Sequence, residues 1–252
     1  MLIGRDWIGS NTRRHFGLVF LLCVMEGTGS SQAPETFEQA LRRRHVEITQ
    51  PALIAALRSP EKEVRGIAAA ELAEIKATAA LPDIIRAAQD ERDALTQVNI
   101  AAAATWMGSA EGLQMLKNIC ADPKQSAYVR IHAAGNVFDK QDHACFPALV
   151  EMMRPTAETD ARIGALERAS QIRPKTEQES KLVLSLALEA LADQDIRIRL
   201  EACDALRWLN DPAAIAPLRR LMENEREEAV RSQMESSLNY LLKAQSQRKE
   251  IP

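Results

Sequence analysis

The chain has few of the residue patterns that carry catalysis or metal binding. No Cys-x-x-Cys pair is present, no glycine-rich phosphate loop occurs, and no serine or cysteine lies in a recognisable nucleophile motif. None of the four histidines pairs with a second metal ligand at helical spacing; they are His15, His45, His132 and His143. We therefore predict that the protein has no catalytic, cofactor-binding or metal-binding residues and is not an enzyme.

Aromatic residues are scarce, and an excess of basic charge is absent. Aromatic side chains make up 4% of the 252 residues, and alanine occupies many of the apolar positions instead. Because alanine is small and is the best helix former, this composition favours closely packed helices. The formal net charge of −3 lacks the basic excess of a general nucleic-acid binder, so we expect no nucleic-acid partner.

No apolar run is long enough to cross a bilayer, which takes about 20 residues. The run at residues 16–25 follows Arg13 and Arg14 and precedes small and polar residues up to position 33. This order is typical of an export signal, so we predict a signal peptide at residues 1–33 and an exported, periplasmic or secreted mature protein with no membrane span. Residues 12–16 also resemble a twin-arginine motif, which leaves both the Sec and the Tat routes open. A mis-assigned start codon and a short buried helix are the alternatives.

Cysteine is too sparse to predict a disulfide framework. Removal of residues 1–33 leaves Cys120, Cys145 and Cys203, which are widely spaced and lie in apolar, helical contexts. An odd number at such spacing gives no recognisable pairing. We expect all three to be buried as small hydrophobic residues.

A short motif recurs at the head of successive alanine-rich runs. Its copies are 34, 31, 32, 37 and 32 residues apart, and apolar residues follow at offsets 4, 8 and 11, which form one stripe of an α-helix. A period of this length with helical texture predicts stacked helical pairs at residues 48–243, with an N-terminal capping helix at 34–47 and a frayed polar tail at 244–252. The spacing of 37 predicts a longer connection or an extended helix around residues 172–177. The copies are Val64-Arg65, Val98-Asn99, Val129-Arg130, Ala161-Arg162, Ile198-Arg199 and Val230-Arg231.

Residues 64–72 and 198–206 carry a resemblance to a known family. Each has Val-Arg or Ile-Arg, then alanine at offset 4 and leucine at offset 8, and Asp211-Pro212 matches the turn between repeats. The chain resembles HEAT repeats over roughly residues 48–242, most closely the bacterial repeats named after the phycobilisome lyases. The resemblance implies an all-α fold, a right-handed α-solenoid of about six helical pairs (an α-α superhelix).

The arginine of the motif forms a ladder along the repeats. The resemblance implies a structural role, in which each arginine ties one turn to the next repeat. The alternative is an anion-binding track, because the arginine fork matches phosphate and carboxylate. Acidic residues just before the arginines would partly neutralise such a track; they are Glu63, Asp160, Asp195 and Glu228. The ladder consists of Arg65, Arg130, Arg162, Arg199 and Arg231.

A second row of repeated residues is apolar and lies two positions after the first residue of the motif in the four central repeats. Trp208 and Tyr240 lie ten positions after it in the last two repeats. If the second helices line the concave face, as the resemblance implies, this row is a partner-binding strip. The alternative is that offset 2 belongs to the core. The row consists of Ile100, Ile131, Ile163 and Leu200.

These features predict a non-catalytic scaffold that binds a protein or peptide on the concave face of the solenoid. The alternative is an enzyme or enzyme accessory of the bilin-lyase-like class that the resemblance implies, although an export signal argues against it. The acidic balance argues against a DNA-repair enzyme, and the absence of a His-Glu dipeptide argues against the metal-dependent hydroxylases built from HEAT repeats.

Overall fold

Short helices joined by tight turns make up residues 35–169 and 174–249, the part of the chain that the computed structural model describes. No strand occurs within these ranges, and none of their helices is long and apolar enough to cross a membrane. The predicted signal peptide lies outside the described residues. The helices are α1 (Phe37–Arg43), α2 (Gln50–Ala56), α3 (Lys62–Glu74), α4 (Leu81–Asp90), α5 (Ala94–Trp106), α6 (Ala110–Ala121), α7 (Ala127–Asp139), α8 (Phe146–Met153), α9 (Thr159–Ala169), α10 (Glu177–Ala190), α11 (Ile196–Leu209), α12 (Ile215–Met222) and α13 (Glu228–Lys249).

Six helical pairs, from α2–α3 to α12–α13, follow one another along the chain. The second helix of each pair packs on the second helix of the next, whereas the first helices contact one another only sparsely. Each pair therefore depends on its neighbours to bury its apolar stripe. This arrangement is an α-solenoid, as the repeat spacing predicted.

Polar caps and prolines set where the helices begin. Asp93 accepts a hydrogen bond from the Thr96 N–H at 3.0 Å, and Ser109 accepts one from the Gly112 N–H at 3.0 Å. Thr49 accepts one from the Ala52 N–H at 3.4 Å, with a proline in the first turn of α2. Each cap satisfies one of the free N–H groups at a helix start. The capping residues therefore fix the register in which each helix presents its apolar stripe.

Alanine forms the close packing between second helices. Ala68 and Ala69 in α3 are fully buried, and residues 101–104 of α5 form an unbroken buried alanine run. Fully buried leucines such as Leu72 and Leu206 fill the larger spaces between the two helical layers. Burying one such leucine contributes about 1.5–3 kcal/mol, so the stripe is the main source of stability.

The ends of the array correct one prediction. Helix α1 lies within the predicted capping segment and packs on α3 through Ala40 and Leu41. At the other end, α13 continues to Lys249, so residues 244–249 are helical and not frayed. Arg248 donates a hydrogen bond to the Asn210 carbonyl at 2.9 Å, which holds this last turn against the preceding repeat.

The predicted insertion lies partly outside the described residues, which omit 170–173. The helix that follows it, α10, has 14 residues and is the longest of the first helices. Thr176 caps its start through a capping box with Glu179. The extra length of this repeat is therefore partly helical.

The expectation of three unpaired cysteines was wrong for two of them. Cys120, at the end of α6, and Cys145, just before α8, form a disulfide with their Cα atoms 5.9 Å apart. The pair was not recognisable in the sequence because stacking alone brings these two helix ends together. Cys203 is free and buried, and burial raises the pKa of its thiol to about 12, so it is unreactive.

Candidate interaction surface

The arginine ladder is built from side chains that join one turn to the next. Arg65 donates to both oxygens of Glu91, from Nε at 2.6 Å and from Nη2 at 2.8 Å. Its Nη1 donates to the carbonyls of Ser59 and Pro60 at 2.9 and 3.1 Å. The guanidinium therefore links its own inter-helix turn to the turn after the following helix.

The same geometry returns four repeats later. Arg199 donates to Glu225 at 2.8 and 3.0 Å and to the carbonyls of Asp193 and Gln194 at 2.9 and 3.1 Å. Such two-pronged contacts are the strongest kind of protein hydrogen bond, because donor and acceptor are both charged and their shapes match.

The remaining ladder residues vary this pattern. Arg130 is buried and donates hydrogen bonds to the Cys120 carbonyl at 3.0 Å and to Glu151 at 3.2 Å. Arg162 is also buried, and it pairs with Asp193. Arg231 belongs to the last pair and is exposed; it reaches the Glu225 carbonyl at 3.5 Å. The four inner arginines thus use their hydrogen-bonding edges on the protein itself, which leaves little of them for an external anion.

The acids that neutralise the ladder differ from those predicted. The partners Glu91, Asp193 and Glu225 lie in the following turns, and within the described ranges the acids immediately before the arginines do not pair with the ladder. Asp160 and Asp195 pair with Arg197 instead. Acids therefore neutralise the ladder as predicted, but its ion pairs join residues 21 to 31 positions apart, and Glu63 acts on Arg65 only through longer-range attraction.

The partner acids are held as carboxylates. The hydrogen bond from Arg65 lowers the pKa of Glu91. Burial alone would raise the pKa of Glu225, but the Glu227 N–H and the Arg199 guanidinium outweigh it and hold that pKa below its ordinary value. Glu91 and Glu225 therefore carry their negative charge at neutral pH.

The predicted apolar row is not one exposed strip. Ile100 is fully buried and Ile131 is 6% exposed, whereas Ile163 and Leu200 are half-buried. The first two are core residues, which corrects their assignment as partner contacts. The reason at Ile131 is a close helix approach: its Cδ1 lies only 2.9 Å from the point where Gly164 in α9 would carry a Cβ atom.

Two aromatic side chains are left uncovered near the C-terminal end. Trp208 is 62% exposed and Tyr240 is 49% exposed, at the same offset of adjacent second helices. The register of α11 and α13 is fixed by hydrogen bonds from Ser237 Oγ to the Cys203 carbonyl at 3.0 Å and from Gln233 to Asp204 at 2.6 Å. We call Trp208 and Tyr240 the aromatic patch.

Comparison with known proteins places the chain in a family. A family model of HEAT repeats matches residues 50–137 and 146–239. The chain is a HEAT-repeat protein. No curated protein matches it.

Solved structures similar to this HEAT-repeat protein include an engineered protein at 18% identity, with 76% of this chain and 96% of that chain covered and a TM-score of 0.48. The complex of CpcE and CpcF of phycocyanin lyase from Nostoc sp. PCC7120 is 20% identical, with 86% and 99% covered and a TM-score of 0.38. Human deoxyhypusine hydroxylase is 15% identical, with 77% and 84% covered and a TM-score of 0.32.

Sequence reasoning missed one exposed aromatic of this HEAT array. Tyr128, at offset −1 of α7, is 52% exposed and lies edge-on to His132, with ring centroids 4.4 Å apart. Burial lowers the pKa of His132, with a smaller contribution from Arg168, so His132 is neutral at pH 7. Offsets −1 and 10 are three helical turns apart and share a face, so the position of Trp208 could have pointed to Tyr128.

A pocket on the first-helix side, between α2 and α4, has mixed charge. Arg65 in its wall is paired with Glu91, and Arg58 lies 3.9 Å from Asp83. No group of side chains in the described ranges has the arrangement of a metal site. Trp208 is the most exposed of the large hydrophobic side chains in the described ranges.

Proposed function

We propose that this HEAT-repeat protein is a non-catalytic scaffold that binds a protein or peptide along its layer of second helices, with Trp208 as the principal contact. The exposure of Trp208 carries the proposal. A tryptophan left 62% exposed gives up much of the burial that its large ring offers. Tryptophan is also enriched among the residues that dominate binding energy at interfaces.

Helix packing supports the choice of face. Second helices contact the next second helix at every step of the array, whereas first helices contact one another sparsely. In a curved stack the layer with the closer spacing is the inner one, so we place the aromatic patch on the inner side of the curve. Extended inner surfaces of this kind are what repeat proteins use for binding.

Affinity capture from the native envelope fraction tests the proposal. We expect Trp208→Ala to weaken capture of the partner about tenfold or more, since hot-spot side chains contribute about 2 kcal/mol or more. Thermal stability should be nearly unchanged, because the ring is mostly exposed. Ile75→Ala is the matched control, because Ile75 is a 43% exposed aliphatic residue at the end of α3, outside the patch.

Equal capture by wild type and Trp208→Ala would refute the proposal, as would equal loss in both variants. Capture of a bilin-carrying protein through another surface would favour the alternative, an accessory of the bilin-lyase-like class.

We also propose that the protein is exported. The charge, apolar and small-residue order of residues 1–33 supports this, and so does the Cys120–Cys145 disulfide, because disulfides persist in oxidising compartments and are rare in the cytosol. N-terminal sequencing of the protein from its native source is the test. A start between Ser30 and Glu35 is expected, and an intact Met1 on a cytoplasmic protein would refute export.

A further inference from the structure

The disulfide lies where the two HEAT segments meet. The family match covers residues 50–137 and 146–239, and Cys145 stands at the end of the gap between them. The bond joins α6, a first helix of the N-terminal half, to α8, the first helix of the C-terminal half. It is the covalent connection between the halves other than the chain itself within the described residues.

The two layers are joined differently at this junction. In the second-helix layer, α7 and α9 approach closely, with Ile131 against Gly164 and the Arg168 guanidinium against Gly135. In the first-helix layer, α6 hardly reaches α8, as is general for neighbouring first helices in this array, and α7 packs on α8 less extensively than α5 packs on α6. The first helices therefore make little direct contact across the junction, and the disulfide links two of them covalently.

Polar contacts surround the disulfide in that first layer. Lys117 of α6 pairs with Asp142 of the connecting turn at 2.5 Å. Arg130 donates to the Cys120 carbonyl at 3.0 Å and reaches Glu151 of α8 at 3.2 Å, although the Glu151 side chain is 66% exposed. Asp142 lies in the connecting turn and Arg130 in α7, so neither pair joins α6 directly to α8, and the covalent bond is the principal link between these two helices.

We propose that the Cys120–Cys145 disulfide couples the two halves of the array into one cooperative unit, and that the halves unfold separately when the bond is absent. Repeat arrays are stabilised by nearest-neighbour interfaces, and their cooperativity fails where an interface is weakest. The bond strengthens that interface because it removes conformations in which α6 and α8 are apart.

Burial makes the coupling persistent. Cys120 and Cys145 have no exposed surface, so a thiolate can reach the bond only when the junction opens. The coupled state is therefore set when the protein is oxidised and is retained as long as the fold is intact.

Thiol counting on the full chain is the first test. Among the three cysteines that follow residue 33, alkylation in denaturant without reductant should label only Cys203, and alkylation after reduction should label all three. Labelling of Cys120 and Cys145 without reductant would overturn the proposal.

Hydrogen exchange during urea unfolding, read by mass spectrometry, is the second test. Peptides from residues 50–137 and 146–239 report the two halves. We expect one shared midpoint in the oxidised wild type, and midpoints about 1 M urea or more apart in Cys120→Ser/Cys145→Ser. Cys203→Ser is the matched control: it alters a buried but unpaired cysteine, so its two midpoints should still coincide.

Reduced wild-type protein gives the same comparison without a substitution, in case the double variant does not fold. Coincident midpoints in the reduced protein would refute the coupling. Separated midpoints in the oxidised wild type would refute it as well. Neither outcome depends on whether the aromatic patch binds a partner.

Discussion

Replacing Arg199 by alanine tests how much one ladder arginine contributes to stability. The guanidinium makes two contacts with Glu225 and two with the carbonyls of Asp193 and Gln194. The side chains of Arg199 and Glu225 are only 13% and 9% exposed, so water cannot readily replace the lost partners. The substitution leaves a nearly buried carboxylate and two turn carbonyls without their main donor.

The expected cost follows from those contacts. Hydrogen bonds to charged groups contribute about 1.5–3 kcal/mol, and breaking a buried pair by removing one partner costs about 3–5 kcal/mol. Glu225 keeps its hydrogen bond from the Glu227 N–H at 3.0 Å, which limits the loss. We therefore expect the free energy of unfolding to fall by about 2–4 kcal/mol.

Urea unfolding followed by circular dichroism measures the effect. Arg231→Ala is the matched control, because Arg231 occupies the same repeat position but is exposed; it should change stability by about 0.5 kcal/mol or less. Arg199→Lys should recover part of the loss, since lysine keeps the charge but not the fork. Equal effects of Arg199→Ala and Arg231→Ala would refute the reasoning.

The same pair predicts a pH dependence with a definite sign. The pKa of Glu225 is lowered below its ordinary value of 4.5, so its contribution to stability is present above that value and is lost as pH falls through the folded-state pKa. The difference in stability between wild type and Arg199→Ala should therefore shrink as the solution is made acidic below pH 4.5. A constant difference down to pH 2 would contradict the assignment.

Three further substitutions probe buried and half-buried positions. Burial, with smaller effects from Glu38 and Glu74, raises the pKa of Glu71. The protonated side chain therefore favours the folded state in acid, and this contribution to stability is lost as the pH rises and the carboxyl ionises. Glu71→Gln should raise the melting temperature by about 2 °C at pH 7 and not at pH 4. Gly112→Ala should destabilise by about 1–3 kcal/mol in urea unfolding, because the new Cβ would lie 2.8 Å from the Ala101 carbonyl; Gly164→Ala should cost less, since its Cβ would meet only the end of the Ile131 side chain. A gain for Glu71→Gln in acid, or a smaller cost at Gly112 than at Gly164, would contradict these accounts.

Local patterns were sufficient to predict the helices. Each of the six repeat motifs lies near the start of a second helix. Capping residues and prolines act within a few positions of themselves, so they are readable without the fold. The same holds for the capping helix, where Ala40 and Leu41 form the buried face.

Contacts between repeats could not be predicted in the same way. The partner of Arg65 is 26 positions away, and Cys120 and Cys145 are 25 apart; which residues meet depends on how one pair is stacked on the next. The exposure of individual side chains could not be predicted from the sequence either. Ile131 is buried because Gly164 of α9, in the neighbouring repeat, allows that helix to approach it closely. Periodicity predicts which side of a helix is apolar, but the depth of each position depends on the neighbouring helix.

The positions that first suggest ligand binding in this sequence are the repeated arginines, yet their contacts serve the stacking of the repeats. Each inner arginine meets a carboxylate or carbonyl of a neighbouring turn, and the partner acids in turn accept backbone N–H groups, as Glu91 does from Arg92 and Asp93 at 2.8 and 2.9 Å. A charge that is already paired and partly buried gains little from a second partner, because binding would first have to break the pair. Trp208 is held more weakly within the fold, since its ring is mostly in water and the Arg207 guanidinium lies over it at 6.0 Å from the ring centroid. A partner can therefore bury the ring without disrupting the array, so we expect recognition to rest on apolar contact at the aromatic patch and not on the ladder.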